Sequence, residues 1–161
     1  MSTKAEQLLG TLIGKSPWSV WKGVGSFLLF EFGRKRKTMS RPKGTYTLWV
    51  YMAHWIIRRN GKQLAHSESP DKTIEKAARQ FERRKLLGIT LKKHIAKDRI
   101  LFGAMFRFDG GHSLDAIMYE DEDHSGDAVF MIYTPTHLLQ FDYGGDLALK
   151  KMEGRKASFK T

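Results

Sequence analysis

The residues of this sequence that could bind a charged ligand are concentrated in one short segment. Residues 34–43, RKRKTMSRPK, contain six Lys or Arg residues and follow directly on the apolar run SFLLFEFG. Positive side chains at this density neutralise the phosphates of nucleic acid or meet the carboxylates of an acidic protein. They also solvate a loop between two strands, and the sequence leaves these alternatives open. The six residues are Arg34, Lys35, Arg36, Lys37, Arg41 and Lys43.

Two further groups of residues in the sequence are candidates for contact with a ligand. Arg58, Arg59 and Lys62 are placed beside residues 34–43 if the strands that flank the basic segment pair with each other. Trp18 and Trp21 flank a turn, and we expect their rings to be partly exposed and to line a recognition patch. The basic segment and the aromatic pair are predicted as two separate contact regions.

No pattern of residues indicates catalysis, a bound cofactor or a metal site. The sequence has no phosphate-binding glycine loop, nucleophile elbow or dinucleotide fingerprint, and its six histidines lack metal-ligand spacing. His112, with Asp109 and Asp115 nearby, is the single candidate acid–base set. His54 lies within an apolar run and is interpreted as a hydrogen-bonded core residue. We therefore predict a protein that is not an enzyme and that has no catalytic, cofactor-binding or metal-binding residues.

Charge is sorted along the chain, and this sorting limits how a polyanion could bind. The net charge is +11, yet residues 108–149 contain no Lys or Arg. That stretch includes the acidic turn YEDEDHSGD at 119–127, whose alternating carboxylates are reminiscent of a calcium loop. The turn lacks the glycine position and the final glutamate that such a loop requires. We interpret it as a solvated strand connection and the surface of the protein as bipolar.

Apolar spacing predicts two helices. A short helix is indicated within residues 5–14. A longer helix is indicated at 70–87, where Ser69 and Pro70 suit a helix start and Gly88 suits a helix end. The buried stripe of the longer helix consists of Ile74, Ala77, Ala78 and Phe81.

The strands are predicted to be antiparallel. Residues 46–57 are apolar on both parities, which favours a central strand covered on both faces. Asn60 and Gly61 form the strongest turn signal, so residues 62–68 should return as a hairpin partner. The C-terminal half alternates short apolar runs with turn residues, as in an antiparallel meander.

These elements predict an α+β fold. We expect one antiparallel sheet, or a partly open β-roll, of about seven to eight strands, with one main helix packed on a face and a short N-terminal helix. At 161 residues the chain fits a single domain, 1–161, with a basic and frayed tail from about residue 150.

Several segments of the sequence resemble a family of uncharacterised bacterial proteins. These segments are LLGTLIGKSPWSVWKGVGSFLLFEFG, LWVYMAHWIIRRNG, FRFDGGHSLDAIMY and FMIYTPTHLLQF, between residues 9 and 145. They are similar to the G-x-P-x-W, G-x-G-S-F-L, L-W-V-Y-x-x-x-W and Y-T-P segments of that family. The resemblance implies bacterial origin and a shared fold, without a known activity. The basic segment 34–43 and the basic tail depart from the family pattern.

The sequence favours a non-catalytic binding protein with a protein partner. A small accessory or immunity-type inhibitor would have this size, this lack of catalytic residues and this sorted charge. The alternative is an RNA- or DNA-binding domain that uses residues 34–43 and the basic face of the 70–87 helix. We expect a cytoplasmic protein without membrane contact, since no apolar run approaches ~20 residues, no signal peptide is recognised and cysteine is absent.

Overall fold

The computed structural model describes residues 3–120 and 127–152, and within these ranges the chain forms two antiparallel sheets and two α-helices. The six-stranded sheet has the order β1 (Ser19–Lys22), β2 (Leu28–Phe32), β3 (Tyr46–Val50), β9 (Ala128–Tyr133), β10 (His137–Asp142) and β11 (Leu147–Lys151). The five-stranded sheet has the order β5 (Lys62–His66), β4 (Ala53–Arg59), β8 (His112–Met118), β7 (Arg99–Phe108) and β6 (Leu86–Ala96).

The inner faces of the two sheets pack on each other around an aromatic core. Phe106 of the five-stranded sheet meets Phe130 of the six-stranded sheet edge to face, with ring centroids 5.2 Å apart. Burial alternates along β8, so every second side chain of that strand enters the core. Edge-to-face aromatic pairs add to the stabilisation that burial of their surface provides.

The two helices lie at opposite open sides of this sandwich. Helix α2 (Asp71–Arg79) packs against β1 and β5, which are the edge strands of the two sheets. Helix α1 (Lys4–Thr11) packs against β11 and is capped by Thr3, which accepts a hydrogen bond from the Glu6 amide. The segment after α1 reaches the other sheet, because the Gly14 amide donates to the carbonyl of Leu86 at the start of β6 (2.8 Å).

The predicted fold of a single sheet with one main helix on a face is wrong. The structure is mostly β, and its described strands form separate sheets of six and five strands. The segment predicted as one central strand at 46–57 is two strands, since the chain passes from one sheet to the other between Val50 and Ala53. Along β3, one set of alternate residues faces the core. The other set, which includes Trp49, builds an apolar cluster on the outer face with Leu29 and Met131.

Helix α2 is also shorter than predicted and lies elsewhere. The 70–87 pattern gives a helix that ends at Arg79, and the chain then turns toward β6. Arg83 in this turn has a φ of 68°, and its amide donates to the carbonyl of Pro17 (2.8 Å). The helix lies across the edge strands rather than on the face of a sheet. The turn predicted at Asn60 and Gly61 is confirmed, with φ of 50° and 80°.

Candidate binding surface

The basic segment is an ordered arm between two paired strands. Strands β2 and β3 are antiparallel neighbours, and residues 34–43 connect them. Arg36 and Lys43 face each other across the arm, where the amide of each donates to the carbonyl of the other at 2.7 and 3.0 Å. Nearer the tip, the Thr38 hydroxyl donates to the carbonyl of Arg41 at 2.7 Å. The arm is therefore held by hydrogen bonds of its own, and we call residues 34–43 the basic arm.

Two cations of the basic arm lie over the two tryptophans that were predicted as a separate patch. The Lys35 ammonium is 5.2 Å from the centroid of the Trp18 ring. The Arg41 guanidinium carbon is 4.2 Å from the centroid of the Trp21 ring. A cation in this position is attracted by the negative face of the ring. The two predicted regions are thus one composite surface, formed by the basic arm with Trp18 and Trp21.

A buried carboxylate fastens the base of the basic arm to the sheet. Glu31 of β2 has no exposed surface, and it accepts hydrogen bonds from three donors. The donors are the Thr47 hydroxyl (2.5 Å), the Gly44 amide (3.2 Å) and the indole nitrogen of Trp21 (3.2 Å). Since both Trp21 and Gly44, the residue that directly follows the arm, bond to Glu31, this carboxylate sets the position of the arm's base relative to Trp21. Sequence reasoning gave it no role, although a lone charge within an apolar strand was a signal that could have identified it.

Lys43 is buried beside this carboxylate. Only 8% of its surface is exposed. Burial lowers the pKa of Lys43, the negative charge of Glu31 opposes that shift, and the nearby Arg41 adds to the lowering. The Lys43 ammonium also lies 6.0 Å from the Trp21 ring. Of the six basic residues, Lys43 is therefore a structural part of the surface rather than a free contact.

Beyond these anchored groups, the basic arm presents exposed side chains. Arg34, Arg36 and Lys37 are exposed, and Met39 at the tip is fully exposed, at 106%. A cleft of about 450 Å³ separates the arm from Tyr133 on the outer face of the six-stranded sheet. The surface thus combines a projecting apolar side chain, cations and an aromatic wall.

A second cleft adjoins the composite surface. Arg79 is the residue from the basic face of helix α2 that lines it. Trp21, Arg41 and Arg79 line this second cleft together with two carboxylates, Glu75 and Glu82. One carboxylate oxygen of Glu82 accepts a hydrogen bond from the backbone of the edge strand β1. The charge of this cleft is therefore mixed rather than uniformly positive.

Arg58 and Arg59 are not brought to the basic arm. They lie at the end of β4 in the five-stranded sheet, because the chain changes sheets before it reaches them. Arg58 lies 3.5 Å from the carboxylate of Asp115 on the neighbouring strand β8. Arg59 is exposed and pairs in register with His112.

Of the candidate acid–base set, His112 and Asp115 are not brought together. His112 faces the core, where it is 1% exposed and its Nε2 lies 3.2 Å from the Gln80 side-chain oxygen. Asp115, three residues along the same strand, is on the opposite face. Burial lowers the pKa of His112, the positive charges of Arg84 and Arg59 lower it further, and backbone hydrogen bonds oppose the shift.

This lowered pKa predicts a loss of stability in acid. The unfolded chain binds a proton at His112 near the ordinary pKa of 6.5, whereas the folded protein binds it only at a lower pH. The free energy of unfolding should therefore fall as the pH drops below 6.5, by at most about 1.4 kcal/mol per pH unit for this one group. Urea denaturation from about pH 5 to pH 7 measures this slope, and His112→Gln should make it shallower. Equal slopes in the two proteins would contradict this role of His112.

Some sequence predictions fall beyond the described ranges. The middle of the acidic turn, residues 121–126, and the tail from residue 153 lie outside the described residues. Within residues 3–120 and 127–152, no group of three or more His, Asp or Glu residues could hold a metal ion. In the same part of the chain, neither helix has the length and apolar character needed to cross a bilayer.

No protein-family model, no curated protein and no solved structure matches this chain. The family resemblance predicted from the sequence therefore stays a prediction.

Proposed function

We propose that this chain is a non-catalytic binding protein that recognises the acidic face of another protein through the composite surface. The proposed class is a small accessory protein or an immunity-type inhibitor. The observation that carries the proposal is the placement of Lys35 and Arg41 over Trp18 and Trp21, beside the projecting Met39. Trp, Arg and Met are enriched in protein–protein interfaces, and Trp and Arg dominate their binding energy.

The distribution of charge favours a protein partner over a nucleic acid. Lys43 is buried, and Lys35 and Arg41 already lie over aromatic rings. The cleft beside Arg41 is lined by Glu75 and Glu82 together with Lys22 and Arg79, and such mixed charge suits a partner that presents both signs of charge better than a row of phosphates. A protein surface supplies both the carboxylates for the cations and an apolar pocket for Met39, whereas a phosphate backbone supplies only negative charge.

The alternative function uses the same basic arm. Arg34, Arg36 and Lys37 are exposed and could contact the phosphates of RNA or DNA. Such binding would be independent of base sequence and would weaken steeply with salt. The Met39 side chain would contribute little to contacts with phosphates, so substitution of Met39 distinguishes the two proposals.

Quantitative capture on the immobilised protein tests the proposal. We expect the wild-type chain to retain a specific protein from nuclease-treated extract of the source cells, with a stoichiometric complex on reconstitution. Met39→Ser and Arg41→Ser should each weaken that purified complex by at least about tenfold, the range for interface hot spots. Lys62→Ser, a substitution of an exposed lysine on β5, is the matched control and should bind as the wild type does.

Two results would contradict the proposal. One is a complex that survives both Met39→Ser and Arg41→Ser unchanged, since the partner would then bind elsewhere. The other is retention that disappears with nuclease treatment, because the captured species would then be nucleic acid.

A further inference from the structure

The outer face of the five-stranded sheet contains a trough of about 360 Å³ that lies on the other sheet from the basic arm. Its size is at the lower end of the range for small-molecule sites, and suits a ligand with one ring. The trough was not predicted from the sequence, where His54 was placed in the core. His54 is instead exposed on the outer face. The residues that line the trough include His54, Lys92, Leu101, Gly103, Asp115 and Ile117.

The register of four strands forms the trough. His54 pairs with Ile117, Ile117 pairs with Gly103, and Gly103 pairs with Lys92, so these residues make one row across the sheet. The two long side chains stand at the ends of the row, and the residue without a side chain lies between them. A Cβ at Gly103 would come within 2.4 Å of the Ala116 carbonyl oxygen, so the backbone itself keeps this position empty.

The charge in the trough favours an anion. The Lys92 ammonium lies 2.6 Å from one oxygen of Asp115, and Arg58 lies 3.5 Å from the other. Arg58 does not line the trough, but it and Lys92 share the Asp115 carboxylate, so these three side chains together carry a net positive charge. Lys92 is about two-fifths exposed and has three hydrogen-bond donors, so it can bond to a ligand without leaving Asp115.

The remaining walls of the trough are apolar and flat. The ring of His54 meets the ring of Tyr119 edge to face, with centroids 4.5 Å apart, which orients the imidazole as a side wall. Leu101 and Ile117 lie beside the floor at Gly103. An unsaturated ring would contact these side chains over both its edge and its face.

We propose that this trough binds a small organic anion in which a carboxylate or phosphate is joined to a flat unsaturated ring. The anionic group bonds to Lys92, and the ring lies over Gly103 and against Ile117, with its far edge toward His54. Neither part of the site depends on the proposed protein partner, because the trough and the basic arm belong to different sheets.

Amide NMR spectra of the full chain test this proposal, with benzoate and phenyl phosphate as the probes and uncharged benzamide as the control ligand. At least one of the two anions should shift the amides of His54, Gly103 and Ile117 with saturation and a Kd of about 1 mM or tighter. Comparison of the two anions shows which acidic group is preferred. Benzamide should bind at least tenfold more weakly than the preferred anion, because it cannot form the charged hydrogen bond.

Three substitutions complete the test. Lys92→Met should weaken binding of the preferred anion at least tenfold, and His54→Ser should weaken it about fivefold through loss of the wall. Lys62→Met, at an exposed lysine on β5 of the same sheet, should leave binding unchanged. Shifts that rise linearly without saturation for both anions, equal binding of benzamide, or full binding by a folded Lys92→Met variant would each overturn the proposal.

Discussion

Replacing Glu31 with alanine is expected to lower the free energy of unfolding by about 3–5 kcal/mol, the usual effect of removing one partner of a buried charged group. Glu31 is completely buried and accepts three hydrogen bonds, from Trp21, Gly44 and Thr47. The substitution leaves these donors without their acceptor and leaves Lys43 in its buried position without the neighbouring negative charge. Urea denaturation monitored by tryptophan fluorescence measures the change.

A control and a rescue make the Glu31 result specific. Glu68→Ala removes an exposed carboxylate, and it should change stability by less than about 0.5 kcal/mol. Adding Lys43→Met to Glu31→Ala should recover part of the loss, because the double variant no longer buries an ammonium that has lost the neighbouring charge of Glu31. A loss below about 1 kcal/mol for Glu31→Ala would show that this carboxylate does not anchor the basic arm.

Replacing Phe81 with alanine is expected to cost about 3–5 kcal/mol, the range for removing a large buried aromatic side chain. Phe81 has no exposed surface. Its ring centroid lies 5.4 Å from that of Phe30 in the six-stranded sheet and 4.6 Å from that of Phe108 in the five-stranded sheet. A cavity at this position therefore removes contacts with both layers, although the residue lies in the turn after α2 rather than within the helix.

The matched control for Phe81→Ala is Leu87→Ala. Leu87 is 51% exposed, so its truncation removes little buried surface and should change the unfolding free energy by less than about 1 kcal/mol. Both variants can be compared in one series of urea denaturation curves. Similar, small changes for Phe81→Ala and Leu87→Ala would contradict the assignment of Phe81 to the core.

Local elements of this fold could be predicted from the sequence, but the pairing of its strands could not. Asn60 and Gly61 favour the positive φ angles of a tight turn, so this turn can be predicted without knowledge of distant contacts. The two-sheet arrangement instead depends on pairing between β3 and β9, which are about eighty residues apart, and on the transfer of the chain between sheets at 51–52. A strand with apolar residues at every position can be buried on both faces by two layers of structure. The same sequence pattern arises when one face is covered only by side chains from neighbouring strands, as on the outer face of β3.

The candidate site could likewise be predicted only in part from the sequence. The basic arm and the tryptophans were each recognisable from residue type, because clustered cations and paired indoles stand out in any sequence. Their union could not be predicted, since it requires β1, β2 and β3 to be consecutive neighbours with the arm folded back over them. Glu31 was overlooked because a single carboxylate carries no motif, and its importance comes from burial.

We propose that the basic arm binds a protein partner rather than a nucleic acid, and binding to nucleic acid can be measured as a function of salt. Fluorescence anisotropy with labelled single-stranded RNA and duplex DNA is recorded from about 50 to 150 mM salt. The wild-type chain is compared with a variant in which serine replaces Arg34, Lys35, Arg36 and Lys37. We expect both proteins to bind the labelled RNA and DNA weakly at the lowest salt and to show no binding near 150 mM, since the surface also carries carboxylates. Tight binding by the wild type at about 150 mM, lost in the four-serine variant, would contradict the proposal. The salt slope of the variant would then be shallower by about 3.6 units on duplex DNA and by about 2.8 units on single-stranded RNA.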